Sequence, residues 1–526
     1  MLTGEPTWTS FTLLGQTYKG SGTVNFGNVS NGRCYTMHID SAGTDIARNI
    51  VFTCLPIIHL HIPAKVRTYY EDGCISVTMP DGSVVQSATR SKRRGGSTNT
   101  SSRHKFSYHI KFVDDEGEKV DHKFFGLRND NSWLLEAMQA DLGRCRNRVL
   151  TGLWADFATQ PYYRNQEPKA LNYSRGDFVE VLKNGQYIGI YGMHENLDRK
   201  QMKLRKFDPE TFDIYGQMWK YKFDSSVLYW KTPDAAPVDT SEWWGGIELK
   251  YPQIDEVCPT DYGTLSAAVD FVVHSSDDDF KAHVAEYFDI PVLVDHFVML
   301  DVMNGVDNVS KNYYMACYDQ TVDKKLTLAI WDMDATMGQG WNNTDAHYRT
   351  PDLKPELTIR NSSFYRGNNL YTRLMTLNAE SFADRVAQRY LELRRSGLFS
   401  ADSLKARFGK VYDLYDLSGA GKREMKKWSK DSDINGRELN FDTERAYIYD
   451  WIERHIAYLD QFYGYTEAIA GDINSDGKVD VKDLNILINI VLGQDSASNY
   501  KGNGDLGGDG KIDVKDINDV INIILG

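Results

Sequence analysis

The stretch NGVDNVSKNYYMACY, residues 304–318, sets Asp307 and Asn312 five positions apart, and IWDMDATMG, residues 330–338, brings Asp332 and Asp334 soon after. Oxygens of this kind either decorate a solvated loop or converge on a hard cation. The apolar run LTLAI before Trp331 reads as a strand, and residues two apart on a strand point the same way, so both carboxylates are expected to face one site. An acidic pair beside an asparagine is a hard-oxygen donor set suited to magnesium or manganese bridging phosphates. Each spacing is weak alone, and the elements around it decide what it means.

Upstream, residues 50–130 read as strands: IVFTCLPIIHLHI, then CISVTMPDGSVVQSATR with a Pro-Asp-Gly turn, then HKFSYHIKFVDDEGEKV. In the last of these Phe106, Tyr108, Ile110 and Phe112 alternate with Lys105, Ser107, His109 and Lys111, so one face is buried and the other carries Lys105. Residues 129–157, NDNSWLLEAMQADLGRCRNRVLTGLWADF, have apolar positions at helical spacing. Residues 177–199 follow as a hairpin around an Asn184-Gly185 turn, and from 260 onward helices dominate.

Strands, a helix, a hairpin, a linker and a helical body form the element order of a two-lobed kinase, in which nucleotide lies between a β-rich and a helical lobe. Protein kinases place a base Asp and a metal-binding Asn at D-x-x-x-x-N, the spacing of Asp307 and Asn312. The expected fold class is therefore α+β, with a two-lobed kinase-like domain.

The C-terminus carries a repeat. DINSDGKVDVKDLNILINIVLG at 472–493 matches DLGGDGKIDVKDINDVINIILG at 505–526 at an offset of 33 residues. In the first copy Asp472, Asn474, Asp476, Asp480 and Asp483 occupy positions 1, 3, 5, 9 and 12 of an EF-hand-type loop, Gly477 makes the turn and Lys478 offers its carbonyl. In the second, Asp505, Asp509, Asp513 and Asp516 match, with Lys511 at the carbonyl position, but Gly507 replaces the oxygen donor at position 3. That site should bind calcium more weakly. Two such loops, each followed by a short amphipathic helix, make a small α-helical calcium module.

Composition bounds the partners. Net charge is −13, which argues against a general nucleic-acid binder; the basic exception is RSKRRGG at 90–96. No run approaches the ~18 apolar residues of a membrane span. The start MLTGEPTWTS lacks a basic segment followed by an apolar one, so a secretory signal is expected to be absent or already removed. Six cysteines, Cys34, Cys54, Cys74, Cys145, Cys258 and Cys317, show no CxxC spacing, which disfavours zinc and leaves disulfide pairing open; most read as buried apolar residues.

Residues 471–526 resemble a type I dockerin, the calcium-dependent partner of cohesins. The body resembles the CotH kinase-like family through the strand with Lys105, DLGRCRNRV at 141–149, NGQYIGIYGMHENLDR at 184–199, VDNVSKNYYM at 306–315 and WDMDATMG at 331–338. The resemblance implies an atypical secreted kinase that uses ATP with Mg2+ or Mn2+ to phosphorylate Ser or Thr of a secreted protein. On it, Asp307 would orient or deprotonate the acceptor hydroxyl, and Asn312, Asp332 and Asp334 would hold the metal. Lys105 would meet the α- and β-phosphates, Arg146 would make a second phosphate or a structural contact, and Glu195 would sit where the hinge receives adenine. The domains expected are a β-rich extension at 1–50, the kinase-like domain at 51–466 and the dockerin at 471–526.

Two features depart from the kinase pattern: no G-x-G-x-x-G loop precedes Lys105, only RRGGSTNTSS at 93–102, and no His-Arg precedes Asp307. The acid that should pair with Lys105 is open between Glu136 and Asp141. The alternative to an enzyme is a catalytically inactive structural or binding component of an extracellular assembly, docked through its dockerin to a cohesin-bearing scaffold.

Overall fold

The computed structural model describes residues 10–19, 24–63, 66–96, 98–100, 103–222, 236–237, 241–253, 260–339, 354–429, 438–466, 469–500 and 502–526. They divide into two compact units, Met1–Leu459 and Asp460–Gly526.

The first unit opens with β1 (Ser10–Leu13), β2 (Gln16–Tyr18), β3 (Cys34–Ser41) and β4 (Thr44–Val51), a small sheet in the order β2-β1-β3-β4. Next come β5 (Ile57–His61), β6 (Glu71–Thr78), β7 (Val84–Arg94) and β8 (Ser107–Val113), the ribbon β9 (His122–Lys123) and β10 (Asn129–Asp130), then β11 (Ser132–Glu136), β12 (Gly176–Lys183) and β13 (Gln186–Glu195). Seven of these close into a barrel, β11-β13-β12-β5-β6-β7-β8. The alternation expected in β8 is present: Tyr108, Ile110 and Phe112 point into a core shared with Ile58, Leu60, Val179, Val181 and Tyr191. Each fully buried side chain of this size contributes about 1.5–3 kcal/mol. Asn184 and Gly185 both take positive φ, 50° and 77°, the left-handed pair a two-residue hairpin turn requires.

Residues 129–157 are not one helix. Only Arg146–Phe157 is helical, and Ser132–Glu136 is β11, which pairs with β8 on one edge and β13 on the other to close the barrel. Trp133 and Leu135 enter the barrel core while Leu134 packs in a second cluster on the outside. A strand buried on both faces is a continuous apolar run, which periodicity alone cannot separate from a helix.

A second sheet follows, made of β14 (Gln217–Tyr221), β15 (Trp243–Trp244), β16 (Ile247–Tyr251), β17 (Tyr313–Cys317) and β18 (Thr327–Ile330) in the order β15-β16-β14-β17-β18. The helix Ile290–Met303 is buried nearly all round and is therefore interior. Asn304, at φ 45°, ends it in a left-handed cap and turns the chain into the segment that carries Asp307. Helices Phe382–Arg395, Ala401–Ser418, Ala420–Trp428 and Phe441–Tyr463 complete the unit, so the mixed α+β class is as expected.

In the second unit, helices Val481–Val491 and Val514–Leu525 pack around Ile473, Leu487 and Val520. Among the described residues no helix is long and apolar enough to cross a membrane. Of the cysteines, Cys145 and Cys317 are buried, Cys54 is half-buried and Cys34 and Cys74 are exposed, all as free thiols; Cys258 lies outside the described residues.

Candidate functional site

A cavity of about 1630 Å³ lies between the outer face of the barrel and the five-stranded sheet. Period-2 alternation builds both walls. Residues of β7, β8 and β11 that do not enter the barrel core, Lys92 and Arg94, His109 and Lys111, Ser132 and Glu136, face the cavity from one side. Lys220 of β14, Lys222 just after that strand, and Glu248 and Lys250 of β16 face it from the other.

Asp307, Asn312, Asp332 and Asp334 all line this cavity. The Asn312 Nδ2 donates to Asp307 Oδ2 at 2.8 Å, which leaves the amide oxygen to ligate, and Lys311 Nζ pairs with Asp307 Oδ1 at 2.9 Å. The two aspartates of WDMD do not reach the site by strand alternation, because β18 ends at Ile330. Asp332 instead takes a left-handed conformation, φ 60°, costly for a residue with a Cβ. Asn308 holds that turn, its Nδ2 donating to the carbonyls of Trp331 and Asp332 at 3.0 and 3.1 Å.

One carboxylate missing from the expected metal set completes the acidic side, held there by an asparagine. Glu136, at the end of β11, accepts from Asn147 Nδ2 at 2.6 Å, and Asn147 Oδ1 accepts the Met333 amide at 3.1 Å, tying Glu136 to the WDMD turn. Burial first, then the charges of Asp332, Glu136 and Asp307, hold the Asp334 carboxyl well above the usual carboxylate range. Burial also raises Glu136, opposed by Arg148 and reinforced by Asp332. Carboxyls crowded in this way ionise together only beside a cation, so the donor set fits a divalent metal. Among the described residues no group of three His, Cys, Asp or Glu side chains forms a ready-made metal cage. A cation here would draw on Asn312, phosphate and water oxygens as well as the carboxylates.

The opposite side is cationic. Lys220 lies over the rings of Tyr314 and Trp331, at 5.6 and 5.2 Å, and Arg94 lies over Trp331 at 5.4 Å. Burial, with Arg94 adding to it, pushes the Lys220 ammonium down to about 7. The basic run RSKRRGG thus supplies the barrel half of this wall, whereas Lys220, Lys222 and Lys250 carry only a period-2 signal in two short strands.

Three expected nucleotide contacts lie elsewhere. Lys105 precedes β8 rather than standing on it, and it is sealed in the interior: Nζ donates to Ile190 O at 2.6 Å and to Glu424 Oε1 at 2.7 Å. Glu424, rather than Glu136 or Asp141, is its acid, and it also accepts from Arg144 and the Ile190 amide. Gly189, at φ 108°, makes room for this knot, since a Cβ there would sit 2.0 Å from Glu424 Oε2. Arg146 is fully buried against Asp141 and Glu444 at 2.6 and 2.8 Å and holds the carbonyls of Thr336 and Met337, just beyond Asp334. It takes the structural option. Glu195 is occupied by Arg175, Gln201 and the Arg128 amide, and its own N–H and C=O bond to Arg175 O and Ser174 Oγ, so neither side chain nor backbone is presented to adenine.

The two C-terminal loops share most of their hydrogen bonds. Asp483 Oδ1 accepts the amides of Ile473 and Asn474, and Asp516 Oδ1 those of Leu506 and Gly507. Asp472 accepts from Asp476 and Gly477 just as Asp505 accepts from Asp509 and Gly510. Asp480 and Asp513 cap the two helices, while the amides of Lys478 and Lys511 bond Asp476 and Asp509. The difference is at position 3, where Asn474 Oδ1 accepts the Asp476 amide and Gly507 has no counterpart.

Known families match two stretches of the chain. The family described as CotH kinase protein matches residues 92–459, and the dockerin type I domain matches residues 470–525. No curated protein matches the chain.

Proposed function

We propose that this chain, which belongs to the CotH kinase protein family and carries a C-terminal dockerin type I module, is a secreted atypical kinase. It transfers the γ-phosphate of ATP to Ser or Thr of a secreted or surface protein, and it is tethered to a cohesin-bearing assembly through its calcium loops. On this reading the barrel is one lobe, the five-stranded sheet and helices are the other, and nucleotide would lie in the cavity between them. The observation that carries it is the pairing in one cavity of Asp307, Asn312, Asp332 and Asp334 with a cationic wall.

Asp332, Asp334 and Asn312 would hold the metal, with Glu136 behind them. The metal supplies charge neutralisation at the phosphate oxygens. Asp307, fixed by Asn312 and Lys311, accepts the proton of the acceptor hydroxyl as that oxygen bonds to phosphorus and ADP departs. The first test is calorimetric. Wild type should bind ATP only with Mg2+ or Mn2+, and Asp332→Ala and Asp334→Ala should lose that binding while keeping the wild-type melting temperature. ATP binding that ignores both metal and substitutions would contradict the assignment.

A second reading, an inactive docked component, draws support from the seclusion of Lys105 and from the ion pair that Lys311 makes with Asp307. It predicts a chain that binds cohesin with calcium and never turns ATP over.

A further inference from the structure

The cavity brings together two cations from its opposite walls. Arg94 ends β7 in the barrel and Lys220 stands in β14 of the other sheet, yet both are half-buried and converge on the ring of Trp331. Four other lysines of the cavity have carboxylate partners, Lys200 with Asp130, Lys222 and Lys250 with Glu248, and Lys311 with Asp307, while Lys92 and Lys111 lie over the ring of Tyr70. Arg94 and Lys220 make no ion pair with a carboxylate among the described residues. Two positive charges gathered at one ring repel each other, and an aromatic face offsets only part of that cost. An anion between them removes the repulsion. Trp331 is joined directly to Asp332, so such an anion would lie beside the acidic side of the cavity.

We propose that Arg94 and Lys220, converging on Trp331, form a clamp for a polyphosphate chain, doing from the two walls of the cavity what the secluded Lys105 cannot. The identity of the chain as the phosphates of a nucleotide rests on the kinase reading; the clamp itself rests on the convergence of the two cations on one ring from opposite walls. Arg94 offers a planar fork able to hold two oxygens, and Lys220 a point charge on the far side.

The test is calorimetric titration of the full chain with inorganic tripolyphosphate, ATP and AMP, without reference to transfer. Wild type should bind tripolyphosphate, and Arg94→Gln and Lys220→Gln should each weaken it about tenfold or more, as expected for a charge-assisted contact. ATP should weaken in parallel while AMP changes little. Arg94→Lys and Lys220→Arg, which keep the charge, should retain most of the affinity and show that the loss is not one of folding. Wild type that ignores tripolyphosphate at millimolar concentration, or glutamine variants that bind it as wild type does, would overturn the clamp. Tripolyphosphate binding that depends on both residues in a chain that never transfers phosphate would uphold the clamp and sink the kinase reading instead.

Discussion

Lys105 shows how a residue's type can be read correctly and its work misread. Alternation put it on the exposed face of a predicted strand and the family resemblance implied a phosphate contact, whereas the fold closes over it and gives it Glu424. Removing Lys105 leaves the buried Glu424 with Arg144 and the Ile190 amide but strips it of one charge-assisted bond, at a cost of about 1–3 kcal/mol. Lys105→Ala should therefore lower stability by that order in urea unfolding; a variant of unchanged stability that lost only ATP affinity would restore the original assignment. His296 supplies a pH prediction. Burial pushes its imidazole from 6.5 down to about 3, with Nδ1 facing Tyr371 Oη at 2.6 Å. Its folded value lies below its unfolded one and the neutral form is the one buried, so its contribution is complete above 6.5 and lost as pH falls toward 3. The slope is about 1.4 kcal/mol per pH unit. A His296→Gln variant should flatten the acid limb of the stability curve, and an unchanged limb would contradict the buried neutral imidazole.

Among the elements, legibility followed periodicity. The β8 alternation, the Asn184-Gly185 hairpin and the strand before Trp331 were all readable because each has one buried face or a turn that only certain residues make. β11 was not, since its apolar run is buried on both faces and looks the same in a helix. The convergence of Asp332 and Asp334 was foreseen, but by the wrong mechanism: a left-handed turn held by Asn308 places them, and nothing in a spacing of two announces it. The calcium loops carry their own prediction. Gly507 has ordinary φ, and a Cβ there would have only Asp516 Oδ1 near, at 3.7 Å, so Asn fits without strain. Gly507→Asn should tighten the weaker of two calcium sites toward the stronger in a calcium titration; two equal sites in the wild type would contradict the ranking.

At the scale of the molecule, what escaped the sequence is the cationic wall. A net charge of −13 conceals it, because Lys92 and Arg94 lie more than a hundred positions from Lys220 and Lys250, and only the packing of barrel against sheet brings them to one cavity. The acidic half was legible because its members lie within 28 residues of one another, and the dockerin because its loops repeat. Glu136 was not, since it reaches the WDMD turn through Asn147 from a strand closing the opposite wall. One transfer reaction tests the kinase assignment most directly. The full chain is incubated with γ-labelled ATP, Mn2+ or Mg2+ and secreted proteins from its source, beside a folded Asp307→Ala variant. Label should pass to Ser or Thr in the wild type and fall by about 10²–10⁴-fold in the variant. Equal labelling by both would remove Asp307 from the chemistry, and a wild type that binds metal and ATP yet labels nothing would make this a docked binding component.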